Sequence, residues 1–202
     1  MDDRLSDKTY REIKRYALSA MAETKQLRHD NKHITRVKAN AIKIIKILGV
    51  EDKIDKNLLK VICLLHDFTY TVRKPSPFTY IFEGHIERRV LNPIVNKFSL
   101  TEEQKETIIE AVYRHAHSFP FRRLNKERGI YTKILQDADT LDFFNCIRLN
   151  LYVKEHNKGI FKGISRYLSS RLVKYGLDNL GNFLNYPQLA KAFSIDPSME
   201  CI

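Results

Sequence analysis

The chain has 202 residues, of which 43% are hydrophobic and 29% charged, and a formal net charge of +11. That length suffices for one sizeable core, and the balance is that of an ordinary globular protein. No apolar run approaches the roughly 18 residues of a membrane span, Met1-Asp2-Asp3-Arg4 is no signal peptide, and Cys63, Cys146 and Cys201 form no paired framework, so the expectation is a cytoplasmic protein without membrane or disulfide.

The pattern is helical nearly throughout. A first amphipathic helix is predicted over Leu5 to Gln26. A second spans Lys32 to Leu48, with Val37, Ala41, Ile44, Ile45 and Leu48 on one stripe and Gly49 as its stop. Lys56 to Asp67 is apolar on nearly every side and predicts a fully buried helix. Tyr70 to Tyr80 contains Pro75 and Pro77 and reads as a loop and candidate lid. A helix from Ile81 to Lys97 is expected to kink at Asn92-Pro93. Thr101-Glu102-Glu103-Gln104 is a capping box opening a helix to His117. Pro120 ends it, and Phe121 to Gly129 reads as a basic loop. Helices over Tyr131 to His156, Ile160 to Tyr175 and Pro187 to Phe193 complete the chain. With no alternating strand pattern and no repeat, the fold class is all-α. Residues 1–202 read as one all-helical domain.

Ionisable groups sit where this pattern turns inward. His66 and Asp67 end the greasiest helix, and a buried carboxylate costs several kcal/mol unless paired. A metal cation removes that cost by taking neutral imidazole and ionised carboxylate as ligands. His33 lies one turn before Val37 on the buried stripe, and His115 extends the stripe Ile108-Val112. Asp139 follows Leu135 by one turn, and Asp142 and Cys146 share its face. Asp137 stands about 200° from Asp139 on the same wheel and faces elsewhere.

These residues carry a family resemblance. His29-Asp30-Asn31-Lys32-His33-Ile34-Thr35-Arg36-Val37 resembles the opening motif of the HD-domain metal-dependent phosphohydrolases. Leu64-Leu65-His66-Asp67 is similar to their defining doublet, Arg114-His115-Ala116-His117-Ser118-Phe119 to their intermediate motif, and Asp137-Ala138-Asp139-Thr140-Leu141-Asp142 to their closing motif. A lone His-Asp pair such as His29-Asp30 carries no weight; four motifs in order do, and the resemblance they carry implies a core over about residues 27–150 with a C-terminal helical extension over 151–202. The branch resembled is that of small single-domain bacterial proteins similar to nucleotide pyrophosphohydrolases. The resemblance implies a divalent metal held by His33, His66, Asp67 and Asp139, with His66 and Asp67 at the centre of catalysis. His85, His115, His117, Asp142, Arg36 and Arg114 would stand around it or contact substrate. The mixed imidazole and carboxylate set suits Mn²⁺, with Fe²⁺, Co²⁺, Zn²⁺ or Mg²⁺ as alternatives.

The chain also departs from that pattern. Tyr70 stands where an acidic residue is usual, Thr140 replaces an arginine, and Phe143-Phe144-Asn145-Cys146-Ile147-Arg148 replaces a glycine-rich stretch. Glu83 and Glu87 could supply a carboxylate if their helix lines the cleft. Arg36, Arg114, Arg122 and Lys133 are cations available to a phosphate, although the Arg122-Arg123 pair reads as a solvated loop.

The expected function is a metal-dependent phosphohydrolase acting on a nucleotide or other small phosphate ester. The alternatives are an HD-type nuclease or phosphodiesterase, favoured by the net charge, and a non-catalytic metal-binding regulator. Partners are a small phosphate-containing substrate, nucleic acid under the second reading, and no membrane.

Overall fold

The computed structural model describes residues 4–23, 29–74, 76–116, 121–124, 126, 129–145, 148–149 and 162–193. Every regular element among them is helical. The helices are α1 (Asp7–Ala22), α2 (Asn31–Ile47), α3 (Lys56–Leu65), α4 (Thr69–Val72), α5 (Pro77–Ile81), α6 (Glu83–Val95), α7 (Glu102–His115), α8 (Ile130–Phe143), α9 (Lys162–Asp178), α10 (Leu180–Phe183) and α11 (Leu189–Ala192), with 3-10 turns at Glu51–Lys53 and Phe121–Leu124. None of the described helices is long and apolar enough to cross a membrane.

The centre is α3. Its residues Leu58, Leu59, Val61, Ile62, Cys63, Leu64 and Leu65 are all buried, each Leu, Ile or Val contributing roughly 1.5–3 kcal/mol. Asp55 starts the helix by accepting hydrogen bonds from the Asn57 and Leu58 amides at 2.9 and 3.0 Å. Its second oxygen accepts from the Leu5 amide at 2.5 Å, which ties the start of the chain to the core. Around α3 pack α1, α2, α7 and α8, while α2 lies along α8 and α6 along α7. The last approach is close: a Cβ on Gly84 would stand 2.4 Å from the Tyr113 carbonyl oxygen. Gly49, at φ +63°, follows the end of α2 as the sequence predicts. The capping box of α7 forms as Thr101 accepts from Gln104 N at 3.2 Å and Gln104 Oε1 from Thr101 N at 3.1 Å.

Three boundaries differ from the sequence reading. The stretch Tyr70 to Tyr80, expected as a loop, contains the end of α4 and most of α5. Ser76 caps α5 by accepting from the Thr79 amide at 3.0 Å, and Pro77 sits in the first turn, where proline is tolerated. The helix expected from Ile81 begins at Glu83 and carries Pro93 in its last turn. The helix expected to reach His156 stops at Phe143, with Phe144 as its cap; residues 150–161 lie outside the described residues. So do Cys146, the end predicted for the first helix, and His117.

Asp137 anchors the late helices. Its Oδ1 accepts from the Asn185 amide and side chain at 2.7 and 2.9 Å, and its Oδ2 from the Tyr186 amide at 2.9 Å. Residues 185–186 are thereby fastened to α8, and α11 packs against α2.

Candidate metal centre

Four side chains meet inside this bundle. His33 comes from the first turn of α2, His66 caps the C-terminus of α3, Asp67 follows it, and Asp139 lies in the middle of α8. Their exposures are 0%, 0%, 3% and 5%. The Nε2 atoms of His33 and His66 are 3.1 Å apart. Asp67 Oδ2 lies 2.9 Å from the first and 3.4 Å from the second, and Asp139 Oδ1 lies 3.7 Å from His33 Nε2.

The remaining ring nitrogens define what this cluster can hold. His66 Nδ1 donates to the Cys63 carbonyl at 2.8 Å, and His115 Nδ1 to the Val112 carbonyl at 2.5 Å. His33 Nδ1 lies 2.7 Å from Asp142 Oδ2. Carbonyls only accept, so His66 and His115 each carry a proton on Nδ1 and present Nε2 as an acceptor. His33 has a carboxylate on each side, Asp142 at Nδ1 and Asp67 Oδ2 2.9 Å from Nε2, with Arg148 Nη1 also 2.9 Å from Nδ1, so its Nε2–H donates to Asp67 and must be given up for that nitrogen to hold a metal. At the His33–His66 separation the two Nε2 atoms share a proton as a hydrogen bond, and a metal cation can take that proton's place. Two nitrogen donors about 2.1 Å from one ion at right angles stand about 3.0 Å apart, so the pair fits a single divalent ion. His33, His66 and Asp139 form one group that could hold such an ion; His66, Asp67 and His115 form a second, and His29, His33 and Asp67 a third.

The charges point the same way. Burial raises the Asp67 carboxyl, but His66, His29 and hydrogen bonds from His29 and His33 outweigh it and hold it well below the usual range. Burial likewise opposes Asp139, yet Arg148, His33 and His66 pull it down. Asp142 is lowered because hydrogen bonds from His33 and Arg36 overcome its burial. For His33, burial and Arg148 lower the pKa, but Asp142 and Asp67 raise it by more. The cluster is a buried set of ionised carboxylates around imidazoles, which favours an added cation.

The surrounding candidates divide into those the fold brings in and those it does not. Asp142 grips His33 and is itself held by Arg36, whose Nε and Nη2 donate at 2.6 and 3.2 Å. Arg36 is therefore a clamp on Asp142. His115 is 3% exposed, with its ring 5.1 Å from that of His66. His85, in contrast, is exposed on the outer side of α6, edge-on to Tyr113 at 5.3 Å. Arg114 is exposed and paired with Glu110. Neither joins the cluster, because the inward face of α6 is built from Glu83, Glu87 and Leu91, and Arg114 lies on the solvent side of α7.

His29 and Arg148 escaped the sequence reading as site residues, while Arg122, Glu87 and Tyr70, which it did weigh, take places it did not fix. His29 Nδ1 donates to Asp67 Oδ2 at 2.7 Å, and its ring stacks on Tyr70 at 3.9 Å; burial lowers its pKa to about 4 despite Asp67. Its place one turn before His33 was the available signal. Arg148 Nη1 donates to Asp139 Oδ1 at 3.1 Å and approaches Asp142 Oδ2 at 3.4 Å. Arg122, expected in a solvated loop, is 0% exposed. Glu87 is buried, accepts from the Thr69 amide at 2.7 Å and is pushed well above the usual carboxyl range by burial, with the Asp67 and Glu83 charges adding to it. Tyr70, standing where an acid was usual, donates its hydroxyl to Glu83 at 2.9 Å.

Neither the comparison with curated proteins nor that with solved structures gave a match. The family model described as HD domain matches residues 32–143, a span that opens one residue before His33, takes in His66, Asp67 and His115, and closes one residue after Asp142. With more than half of the chain matched and the doublet seated at the end of the central helix, the protein belongs to the HD domain family.

Proposed function

We propose that this protein is a metal-dependent phosphohydrolase acting on a nucleotide or another small phosphate ester, with His33, His66, Asp67 and Asp139 as metal ligands. The observation that carries the reading is the 3.1 Å approach of the His33 and His66 Nε2 atoms while each ring's Nδ1 is fixed by an acceptor. Such a pair is organised to receive a cation, and membership of the HD domain family supplies the reaction class.

A divalent ion there supplies Lewis acidity that activates water towards phosphorus and polarises a phosphoryl oxygen. The protein's own groups do the rest. Asp142 and the Cys63 carbonyl orient the two imidazoles. His29 orients Asp67 through the 2.7 Å hydrogen bond. His115, whose pKa burial lowers to about 4 with His66 adding to the effect, is neutral at pH 7 and keeps an acceptor nitrogen for a proton beside His66. Arg148 offers positive charge where negative charge accumulates during attack at phosphorus.

The test is metal analysis of purified wild type beside Asp67→Ala, followed by a nucleotide panel with added Mn²⁺. We expect metal in the wild type, loss of it in the variant, and phosphate or pyrophosphate release that the substitution abolishes. Failure of both proteins to bind metal overturns the reading. The +11 charge favours a second reading, hydrolysis of nucleic acid, which predicts oligonucleotide binding that falls steeply with salt.

A further inference from the structure

Arg122 is the largest fully buried side chain among the described residues. It sits in the 3-10 turn Phe121–Leu124, and its Nη1 donates to the Ala116 carbonyl at 3.2 Å. Its other edge is different. Nη2 lies 3.8 Å from Asp139 Oδ2, beyond hydrogen-bond distance, and both Nε and Nη2 are buried without a hydrogen-bond partner. In arginine, the Nε–H and the nearer Nη2–H point the same way and form a side-on fork matched to two oxygens of a carboxylate or phosphate. Burying a cation with that fork unused is costly, and native structures leave few such groups unpaired.

The fork also has a specific neighbour. Asp139 stands between two guanidinium groups, Oδ1 at 3.1 Å from Arg148 Nη1 and Oδ2 at 3.8 Å from Arg122 Nη2. Arg148 is committed through Nη1 to His33, Asp139 and Asp142, and of its edge only Nε is buried without a hydrogen-bond partner. Arg122 is held in place by a backbone carbonyl, and its Nε/Nη2 edge has only the longer 3.8 Å ion pair with Asp139, so that edge can take an anion without giving up a hydrogen bond. Burial further limits which anion enters. A phosphate at the end of a molecule has one substituent leading back to solvent, whereas an internal diester must pass chain in two directions.

We propose that the Nε/Nη2 edge of Arg122 is the phosphate-binding fork of this centre, and that its substrate is a terminal phosphoryl group, as in a phosphate monoester or the last phosphate of a nucleotide, rather than an internal phosphodiester. This rests on the reading of the cluster as a phosphohydrolase metal centre. Arg122 thereby sets specificity as well as supplying charge.

The experiment is calorimetric titration of inorganic phosphate into Mn²⁺-loaded wild type, Arg122→Met and Arg122→Lys, with Mn²⁺ stoichiometry and thermal melts recorded for each. Lysine keeps the charge but lacks the fork, so phosphate affinity is expected to fall at least about tenfold in both variants while Mn²⁺ stoichiometry is unchanged. Wild type should also hydrolyse 4-nitrophenyl phosphate with kcat/KM at least about tenfold above that for bis(4-nitrophenyl) phosphate, a preference that Arg122→Lys reduces. Should Arg122→Met fail to melt cooperatively, Arg122→Lys carries the test. Wild-type phosphate affinity in a folded Arg122→Lys, or preference for the diester, overturns the assignment while leaving the hydrolase reading intact. A wild type that binds neither Mn²⁺ nor phosphate overturns both.

Discussion

The Nδ1 atom of His33 lies 2.7 Å from Oδ2 of Asp142, joining the first turn of α2 to α8 across the interior. This contact orients the His33 ring, and the bidentate hold of Arg36 on Asp142 fixes the carboxylate that does so. Asp142→Ala is expected to weaken Mn²⁺ binding by about 10–100-fold, the usual effect of removing a hydrogen-bond partner behind a metal-binding histidine. Asp142→Asn keeps an accepting oxygen and should lose less. Calorimetric titration of Mn²⁺ checks both; equal affinity in Asp142→Ala and wild type would remove Asp142 from the metal centre.

Asp137 and Asp139 are two residues apart and do different jobs. Asp137 accepts three hydrogen bonds from Asn185 and Tyr186. Its replacement by Ala leaves two backbone amides unsatisfied and is expected to cost about 2–4 kcal/mol of unfolding free energy with metal content preserved. Asp139→Ala should show the converse emphasis, with metal lost. Urea unfolding and metal analysis of the two variants side by side decide the matter, and loss of metal in a folded Asp137→Ala would count against the division.

The contrast between these aspartates also shows what the sequence could reveal. Helical periodicity separated them, because Asp139 continues the phase of Leu135 and Asp137 does not. The same reasoning located His33 on the stripe of Val37 and Ala41, and placed His66 and Asp67 at the end of an all-apolar run. His29 lies ahead of the helix it serves, so only its one-turn spacing from His33 announced it; Arg148 falls inside the helix predicted to His156 but beyond the observed end of α8 at Phe143, so its phase on that helix was no guide. Arg122 looked like surface because a basic pair between a proline and a glycine gives no hint that one member is buried. His85 was misjudged for a related reason: on α6 the carboxylates Glu83 and Glu87 face inward, the reverse of the usual pattern, and His85 therefore faces out. In the segment after the doublet, prolines suggested a loop where one of them opens a short helix.

Gly84 makes the approach of α6 to α7 possible. A Cβ there would meet the Tyr113 carbonyl oxygen at 2.4 Å and the Tyr113 ring at 3.3 Å. The obstacle is backbone, which cannot rotate aside, so Gly84→Ala should force the helices apart. The expected cost is about 1–3 kcal/mol, the range for overpacking, despite the better helix propensity of alanine. Since Glu83 and Glu87 lie on the same helix beside the doublet, metal affinity should fall as well. A melting temperature equal to or above that of wild type would contradict the close packing.

His115 gives the metal-free protein a defined pH dependence. Burial, with the charge of His66 adding to it, lowers its folded-state pKa to about 4, against about 6.5 in an unfolded chain. As pH falls below 6.5 the unfolded state takes up a proton and the folded state does not, until pH reaches about 4. The contribution is therefore fully present above pH 6.5 and lost progressively towards pH 4, amounting to about 3 kcal/mol over the window. The lowered carboxylates of Asp67 and Asp139 act in the same direction but at more acid pH, since unfolded aspartate titrates near 3.9. His33, raised in the fold, acts in the opposite direction, so the comparison must be made against a variant lacking only His115. With chelator present, the unfolding free energy of wild type minus that of His115→Gln should decrease by about 2–3 kcal/mol between pH 7 and pH 4.5. A difference that stays constant across that interval would mean that His115 is solvated and free to protonate in the folded protein, and hence not the neutral, buried imidazole beside His66 that the proposed centre requires.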